Sequence, residues 1–75
     1  MSEHVVFYND RAGKVELDQV TGFDLRAIFM IEPMYEIVVE GEGPHPDRLL
    51  RDEDVVQLGE RPLRIFGRPP TAFGN

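Results

Sequence analysis

Residues 20–40 read VTGFDLRAIFMIEPMYEIVVE, and this stretch contains the predicted helix and the strongest predicted strand of the chain. The hydroxyl of Thr21 can accept a hydrogen bond from the amide three residues on, and the carboxylate of Asp24 favours a helix start. Pro33 ends the helix, which is therefore predicted over roughly residues 22–30. The apolar side chains that share one face at helical spacing are Phe23 or Leu25, Ile28 and Phe29.

The second half of the stretch, Met34 to Glu40, alternates as a strand with one buried face does. Tyr35, Ile37 and Val39 occupy one face, and Glu36, Val38 and Glu40 occupy the other. The residues that follow, Gly41 to Pro46, are typical of a loop.

Shorter strands are predicted on both sides of this stretch. Before the helix, a strand is predicted over 4–8, a turn over 9–13 and a second strand over 14–18. After it come the strand 34–40, a turn at 47–51 that buries Leu49 and Leu50, and a short strand over 55–58. The last strand is predicted over 63–66 and is stopped by Gly67 and the proline pair. One amphipathic helix can cover one face of such a sheet. We therefore predict an α+β fold of the β-grasp type, with a mixed four- to five-stranded sheet packed on one helix. The first and last strands lie side by side in its centre.

This arrangement predicts which side chains form the core. They are Val5, Phe7, Val15, Leu17, Leu25, Ile28, Phe29, Ile37, Val39, Leu50, Val55, Leu58, Leu63 and Ile65. If Leu63 and Ile65 face inward, then Arg64 and Phe66 face outward, and Arg64 can lie across from a glutamate of the 34–40 strand. Val38 and Phe66 would then form a small apolar patch, either a docking surface or ordinary scattered surface residues.

Length and composition restrict the class of protein. The chain has 75 residues and no cysteine, which fits one intracellular domain and not a disulfide-stapled secreted scaffold. No signal peptide is recognised, and the longest apolar run, Ala27 to Ile31, is too short to cross a bilayer. A cytoplasmic protein without a membrane partner is expected.

The charge is acidic and unevenly distributed. The net charge of −6 argues against nucleic acid as a partner. Thirteen of the fourteen acidic residues precede residue 55, and Arg61, Arg64 and Arg68 follow Glu60 with no further acid. This basic end either faces an acidic partner or consists of solvated arginines.

Nothing in the sequence indicates catalysis by the chain itself. His4 and His45 are a poor metal set without cysteine and are expected to be ordinary surface residues. Asp52 to Asp54 is expected to be a solvated turn, and Gly41 to Gly43 is too short for a phosphate loop. No Ser/His/Asp or Cys/His set is present, so we expect neither an enzyme nor a bound cofactor.

The residues after the last strand form a distinct segment. Residues 67–75 have almost nothing to bury, and Pro69 and Pro70 favour an extended conformation. The predicted division is a domain over residues 1–66 and a flexible tail over 67–75, which can reach about 30 Å at full extension. Gly74 lacks a side chain, so its carbonyl can be approached closely. The alternative is a frayed end without function.

Three segments are similar to those of known modifiers. They are Val20 to Leu25 at the helix start, Asp52 to Leu58 before the last strand, and Arg64 to Phe66 leading into Pro69 to Gly74. In their order, these pieces resemble the ubiquitin-like proteins. Within that group they resemble the bacterial multiubiquitin-type domains, found in operons with E1-like, E2-like and JAB-peptidase proteins. The resemblance covers nearly the whole chain.

This resemblance implies a conjugated modifier. An E1-like enzyme would adenylate the carboxylate of Gly74 with ATP, and the chain would pass to an E2-like cysteine and then to a target, in a role linked to defence against phage. The enzymes would recognise the tail through Arg68, Pro69, Pro70 and Phe73. A JAB-type peptidase would first remove Asn75, because an amide cannot be adenylated.

Two departures from the familiar ending leave other functions open. Phe73 stands where ubiquitin and the sulfur carriers have a glycine, and Asn75 follows Gly74. The alternatives are a sulfur carrier, which this ending disfavours, and a non-conjugated β-grasp interaction domain that binds through Val38 and Phe66.

Overall fold

The computed structural model describes residues 3–70 and shows, within them, seven strands and one helix. In chain order they are β1 (His4–Tyr8), β2 (Arg11–Val15), β3 (Gln19–Thr21), α1 (Gly22–Phe29), β4 (Glu36–Val39), β5 (Arg48–Leu50), β6 (Val55–Gln57) and β7 (Leu63–Arg68). No helix in this part of the chain is long and apolar enough to cross a membrane.

Five of the strands form one mixed sheet. Its order is β2-β1-β7-β4-β5, with β1 and β7 parallel and the other neighbours antiparallel. The predicted α+β class and the central pairing of the first and last strands are confirmed, and the arrangement is compatible with a β-grasp. The strands β3 and β6 form a separate antiparallel pair that the sequence interpretation missed.

The helix begins where its sequence predicts. Thr21 Oγ1 accepts from the N–H of Asp24 at 3.1 Å, and the carboxylate of Asp24 accepts from the N–H of Thr21 at 2.9 Å, so both halves of a capping box are present. At the other end Met30 adopts the left-handed conformation, with φ of 56°. The helix therefore stops at Phe29, one residue before the predicted end.

The core lies between α1 and the inner face of the sheet, and half of its predicted members are confirmed. The correctly predicted buried residues are Val15, Leu25, Phe29, Ile37, Val39, Leu50 and Ile65, and Leu58 and Leu63 pack against them. Residues that were not predicted complete the core, namely Val6, Val20, Ile31 and Val56.

The facing predicted for β1 is wrong. Val6 is fully buried, whereas Val5 and Phe7 point to the opposite face and are half-buried. Apolar residues occupy both alternating positions of β1, so the pattern did not distinguish the two faces. Because side chains alternate along a strand, an error of one residue assigns every side chain to the wrong face.

Three other predicted core residues are exposed, each for a local reason. Leu17 lies beyond the end of β2, and Ile28 lies on the outer side of α1. Val55 pairs with Thr21 and faces outward, because its neighbour Val56 takes the core position beside Val20.

Several element boundaries also differ from the predictions. The turn after β1 takes only Asn9 and Asp10, because Asn9 adopts a φ of 53° that permits a tight hairpin, so β2 starts earlier than predicted. The predicted turn at 47–51 is instead strand β5, in which Leu50 is buried and Leu49 is exposed. These corrections leave the order of the predicted elements intact.

Gly67 does not stop the last strand. It belongs to β7, and a Cβ at this position would lie 2.5 Å from the phenol oxygen of Tyr8. The residue is therefore needed for the close approach of Tyr8 to β7. As a result, β7 runs two residues past its predicted end, to Arg68.

Candidate functional site: the outer face of the sheet

The outer face of the sheet, which points away from α1, contains an apolar cluster. Val38 on β4 lies directly opposite Phe66 on β7 and Leu49 on β5. Val38 is only 6% exposed although it does not belong to the core cluster under the helix. Directly opposed side chains on one face cover one another, so Phe66 and Leu49 account for this burial.

The cluster extends to β1 through a stacked arginine. In the parallel register of β1 and β7, Phe7 is the partner of Arg64. The guanidinium carbon of Arg64 lies 4.6 Å from the centroid of the Phe7 ring, within the range of a cation–π interaction. We call Phe7, Val38, Leu49, Arg64 and Phe66 the sheet patch.

Arg68 makes the ion pair that the sequence suggested for Arg64. Arg68 lies opposite Glu36 on β4, and its Nε donates to Glu36 Oε1 at 2.8 Å. The backbone N–H of Glu40 donates to the carbonyl of Arg64 at 2.9 Å, while the guanidinium of Arg64 lies over Phe7. Arg68, predicted as a tail residue, is therefore held on the sheet.

The chain leaves the sheet beside this patch. β7 ends at Arg68, and Pro69 and Pro70 are both exposed. The tail residues Phe73, Gly74 and Asn75 lie outside the described residues, so their roles stay predictions. What the structure does show is the point of departure, at the end of a central strand flanked by β1 and β4.

Both signs of charge occur on this face. Outward positions of the sheet carry Lys14, Arg64 and Arg68; Lys14 Nζ lies 4.0 Å from Glu3 Oε1, and Arg68 pairs with Glu36. Glu40 and Arg64 line one groove at the end of β4. The three cations are therefore accompanied by carboxylates, on a chain whose net charge is −6.

His4 is not the ordinary surface residue that was predicted. Its side chain is only 11% exposed; Nδ1 lies 3.0 Å from the carbonyl oxygen of Gly59 and Nε2 lies 3.1 Å from Asp18 Oδ1. Because both ring nitrogens face acceptors, the protonated imidazole is favoured. The hydrogen bond to Asp18, followed by that to Gly59, raises the pKa of His4. His4 is 14 residues from Asp18 and 55 residues from Gly59, so no local sequence pattern indicated these contacts.

The other polar candidates have structural partners. The guanidinium of Arg26 donates to Asp52 Oδ1 at 3.2 Å, and Asp54 accepts from the N–H of Arg51 at 2.8 Å. His45 is exposed, and its N–H closes a turn with the carbonyl of Glu42. Residues 3–70 contain no group of three His, Cys, Asp or Glu arranged to hold a metal ion.

An open groove of about 380 Å³ is lined by residues 40–43 and 61–64. An ion pair between Arg61 and Glu42, at 3.3 Å, lies at its border. The lining provides carboxylates, guanidinium groups, a proline and a leucine, but no hydroxyl, thiol or imidazole.

Comparisons with protein-family models, with curated proteins and with solved structures found no match to this chain.

Proposed function

We propose that this chain is a β-grasp protein of the ubiquitin type that acts as a conjugated modifier, a substrate of enzymes and not an enzyme. The observation that carries the proposal is the position of β7. This strand lies between β1 and β4, runs parallel to β1, and ends at Arg68 with the exposed pair Pro69 and Pro70. A rigid central strand followed by two prolines directs the following residues away from the domain.

In this proposal the reactive group is the carboxylate of Gly74. Gly74 is the sixth residue after the end of β7. At full extension six residues span about 20 Å, enough to enter an active site while the domain stays outside. Cleavage of the Gly74–Asn75 amide frees the carboxylate. The carboxylate attacks ATP and releases pyrophosphate, a cysteine thiolate of the E1-like enzyme displaces AMP, and transfer to an E2-like cysteine and an acceptor follows.

The sheet patch has a defined role in this scheme. Phe66 and Arg64 belong to the same strand that leads to the tail, so an enzyme that holds the sheet patch also fixes the start of the tail. Positioning a reacting group through contacts made elsewhere lowers the entropic cost of the reaction. The partners proposed are the E1-like and E2-like enzymes, with a JAB-type peptidase acting on the Gly74–Asn75 bond.

A second function is favoured by one observation, the burial of Val38 between Phe66 and Leu49. A preformed apolar patch with a stacked arginine is also what a non-conjugated interaction domain would present. Removal of the last two residues separates the two functions. A modifier loses its activity without them, whereas an interaction domain retains its binding through the sheet patch.

Three proteins test the modifier proposal: the full chain, a chain ending at Gly74, and a chain ending at position 74 with Gly74→Val. Each is incubated with the E1-like and E2-like proteins encoded beside it and ATP, with and without the peptidase, and intact masses are measured. We expect the chain ending at Gly74 to form an enzyme adduct without peptidase and the full chain to require it. The Gly74→Val chain should fail, because a β-branched side chain crowds the carbonyl.

An adduct of the full chain that retains Asn75 would show that Gly74 is not the reactive end. If neither the chain ending at Gly74 nor the full chain forms an adduct, and the sheet patch still binds a partner, the protein is an interaction domain and not a modifier.

A further inference from the structure

Lys14 is the only lysine in the sequence, and every other residue among its eight lysines and arginines is an arginine. A lysine amine that has lost its proton is a nucleophile toward acyl groups, whereas the guanidinium of arginine stays protonated in proteins. Among the basic side chains, Lys14 alone can therefore form an amide bond with a carboxyl group of another chain.

The structure leaves the amine of Lys14 accessible. Lys14 lies on β2, the edge strand of the five-stranded sheet, which has β1 as its neighbour. Its side chain is 73% exposed, and its ion pair, within residues 3–70, joins Nζ to Glu3 Oε1 over 4.0 Å. A pair between two exposed side chains at this distance is weak, so it does not withhold the amine from a reaction.

Lys14 and the start of the tail lie at opposite ends of the sheet. Lys14 is opposite Val5 on β1, and the next residue, Val6, is opposite Leu63 at the beginning of β7. Arg68 is at the other end of β7. With a rise of about 3.3 Å per residue and about 4.8 Å between strands, the backbones of Lys14 and Arg68 are about 22 Å apart.

This separation prevents the tail from reaching the lysine of its own chain. β7 runs away from the end of the sheet that carries Lys14, and Pro69 and Pro70 oppose a reversal. The four residues from Thr71 to Gly74 span at most about 14 Å. The gap that is left is longer than a lysine side chain, so Gly74 can meet only the Lys14 of another copy.

We propose that Lys14 is the acceptor amine through which one copy of this chain is joined to Gly74 of another copy. The inference rests on the proposed function, because it uses the thioester of Gly74 on the E2-like enzyme. After losing one proton to solvent, Lys14 Nζ attacks the thioester carbonyl and forms a C–N bond. The C–S bond breaks, the cysteine leaves as a thiolate, and the nitrogen loses a second proton. The product is an isopeptide bond.

The position of Lys14 fits the role of an acceptor. Its partner Val5 and the next-but-one residue Phe7 point to the outer face of the sheet, so Lys14 lies on the same face as the sheet patch. An enzyme that holds the patch of the acceptor copy would therefore have the amine on the surface it faces. Because each copy has one lysine, successive transfers to Lys14 give an unbranched chain of copies.

The test separates the donor from the acceptor. The donor is the chain ending at Gly74 with Lys14→Arg, which has the free carboxylate but no lysine. The acceptor is the chain that retains Asn75, which has Lys14 but a blocked Gly74. Both are incubated with the E1-like and E2-like proteins and ATP, without peptidase. We expect a product with the summed mass of the two chains less one water.

Peptide mapping identifies the junction. Trypsin does not cleave before proline, so its cut after Arg64 leaves residues 65–74 of the donor in one piece. A modified lysine also resists trypsin, so the acceptor contributes residues 12–26. We expect these two peptides to be joined at Lys14.

Variants of the acceptor show whether the amine is responsible. Lys14→Arg in the acceptor keeps the charge and removes the nucleophile, so the joined product should be lost while the donor thioester on the E2-like enzyme is unchanged. Arg48→Gln, an exposed cation on the opposite edge strand, is the matched control and should give as much product as the unaltered acceptor. Melting curves verify that each variant is folded.

Several outcomes would overturn the proposal: a joined product with the Lys14→Arg acceptor, a junction at another amine, or equal loss of product with Arg48→Gln. A closed monomer, formed when a chain ending at Gly74 reacts with its own Lys14, would also overturn it. A thioester on the E2-like enzyme without joined copies would overturn the acceptor role alone and leave the modifier proposal intact. Absence of any thioester would overturn both.

Discussion

The outer face of the sheet and the outer side of α1 both present apolar side chains, but with opposite surroundings. On the sheet, Val38 is nearly covered by side chains of the neighbouring strands, and arginines lie beside it. Phe23 on α1 is 64% exposed, and Met30, which follows the last residue of α1, is 87% exposed. Covered side chains of the sheet patch therefore contribute to stability, whereas these exposed side chains contribute little.

The largest loss of stability is expected from a substitution on the inner side of β7. Its size is the reference for substitutions on the two outer surfaces. Ile65 is almost fully buried between the sheet and α1, so Ile65→Ala should lower the free energy of unfolding by about 2–5 kcal/mol. Urea unfolding followed by circular dichroism measures it. A small domain has little stability to lose. An unchanged midpoint would mean that β7 faces the other way.

The next effect separates the two outer surfaces directly. Val38→Ala removes two methyl groups from a covered position and should cost about 1–2 kcal/mol. Phe23→Ala removes a larger but exposed side chain and should change stability by no more than about 0.5 kcal/mol. The same unfolding experiment compares them. Equal losses at both positions would contradict the difference in burial between Val38 and Phe23.

How much of this could be read from the sequence differs between the two surfaces. The helix is specified locally by Thr21 and Asp24, and strict alternation in β4 placed Val38 outward. The contact of Phe7 with Arg64 could not be predicted, because β1 is apolar at both alternating positions and its facing depends on its pairing with β2 and β7. Ile28 was counted toward the core by its helical spacing but is exposed, and Val20 and Ile31, which flank α1, fill the core instead.

The contacts of His4 and the two-stranded sheet of β3 and β6 were not predicted, for a related reason. The strand β3 has three residues, too few for a recognisable pattern, and its partner β6 is distant in sequence. The contact of His4 with Asp18 and Gly59 exists only because the loops flanking this pair come together near β1. Such long-range contacts have no signature in a single sequence.

A smaller effect is expected from the charges of Arg64, in the sheet patch, and of Arg68 at the end of β7. Arg64→Gln with Arg68→Gln should slow transfer to the E1-like enzyme by about threefold to tenfold at low salt and less at high salt, through the association rate. Stopped-flow or quenched-flow charging of the chain ending at Gly74 measures the rate. Glutamine is chosen because a glutamate at position 68 would face Glu36. Arg48→Gln, on the edge strand, is the control, and equal rates in low salt would contradict a role of Arg64 and Arg68 in the association with the enzyme.

The smallest effect is the pH dependence of stability that His4 causes, and it involves neither outer surface. The folded state raises the pKa of His4 above its ordinary value of 6.5, so its stabilising contribution is fully present below pH 6.5 and is lost as the pH rises through the folded value. Thermal midpoints on both sides of 6.5 should therefore fall with rising pH in this window. His4→Gln should flatten that slope. An unaltered slope in the variant would show that another group is responsible.

The most direct test of the modifier proposal is ATP–pyrophosphate exchange by the E1-like enzyme, because this exchange reports adenylation of the carboxylate before any transfer. The chain ending at Gly74 should stimulate exchange well above the enzyme alone, and the same chain with Gly74→Val should not. No stimulation by the chain ending at Gly74, or equal stimulation by the chain that retains Asn75, would contradict the account.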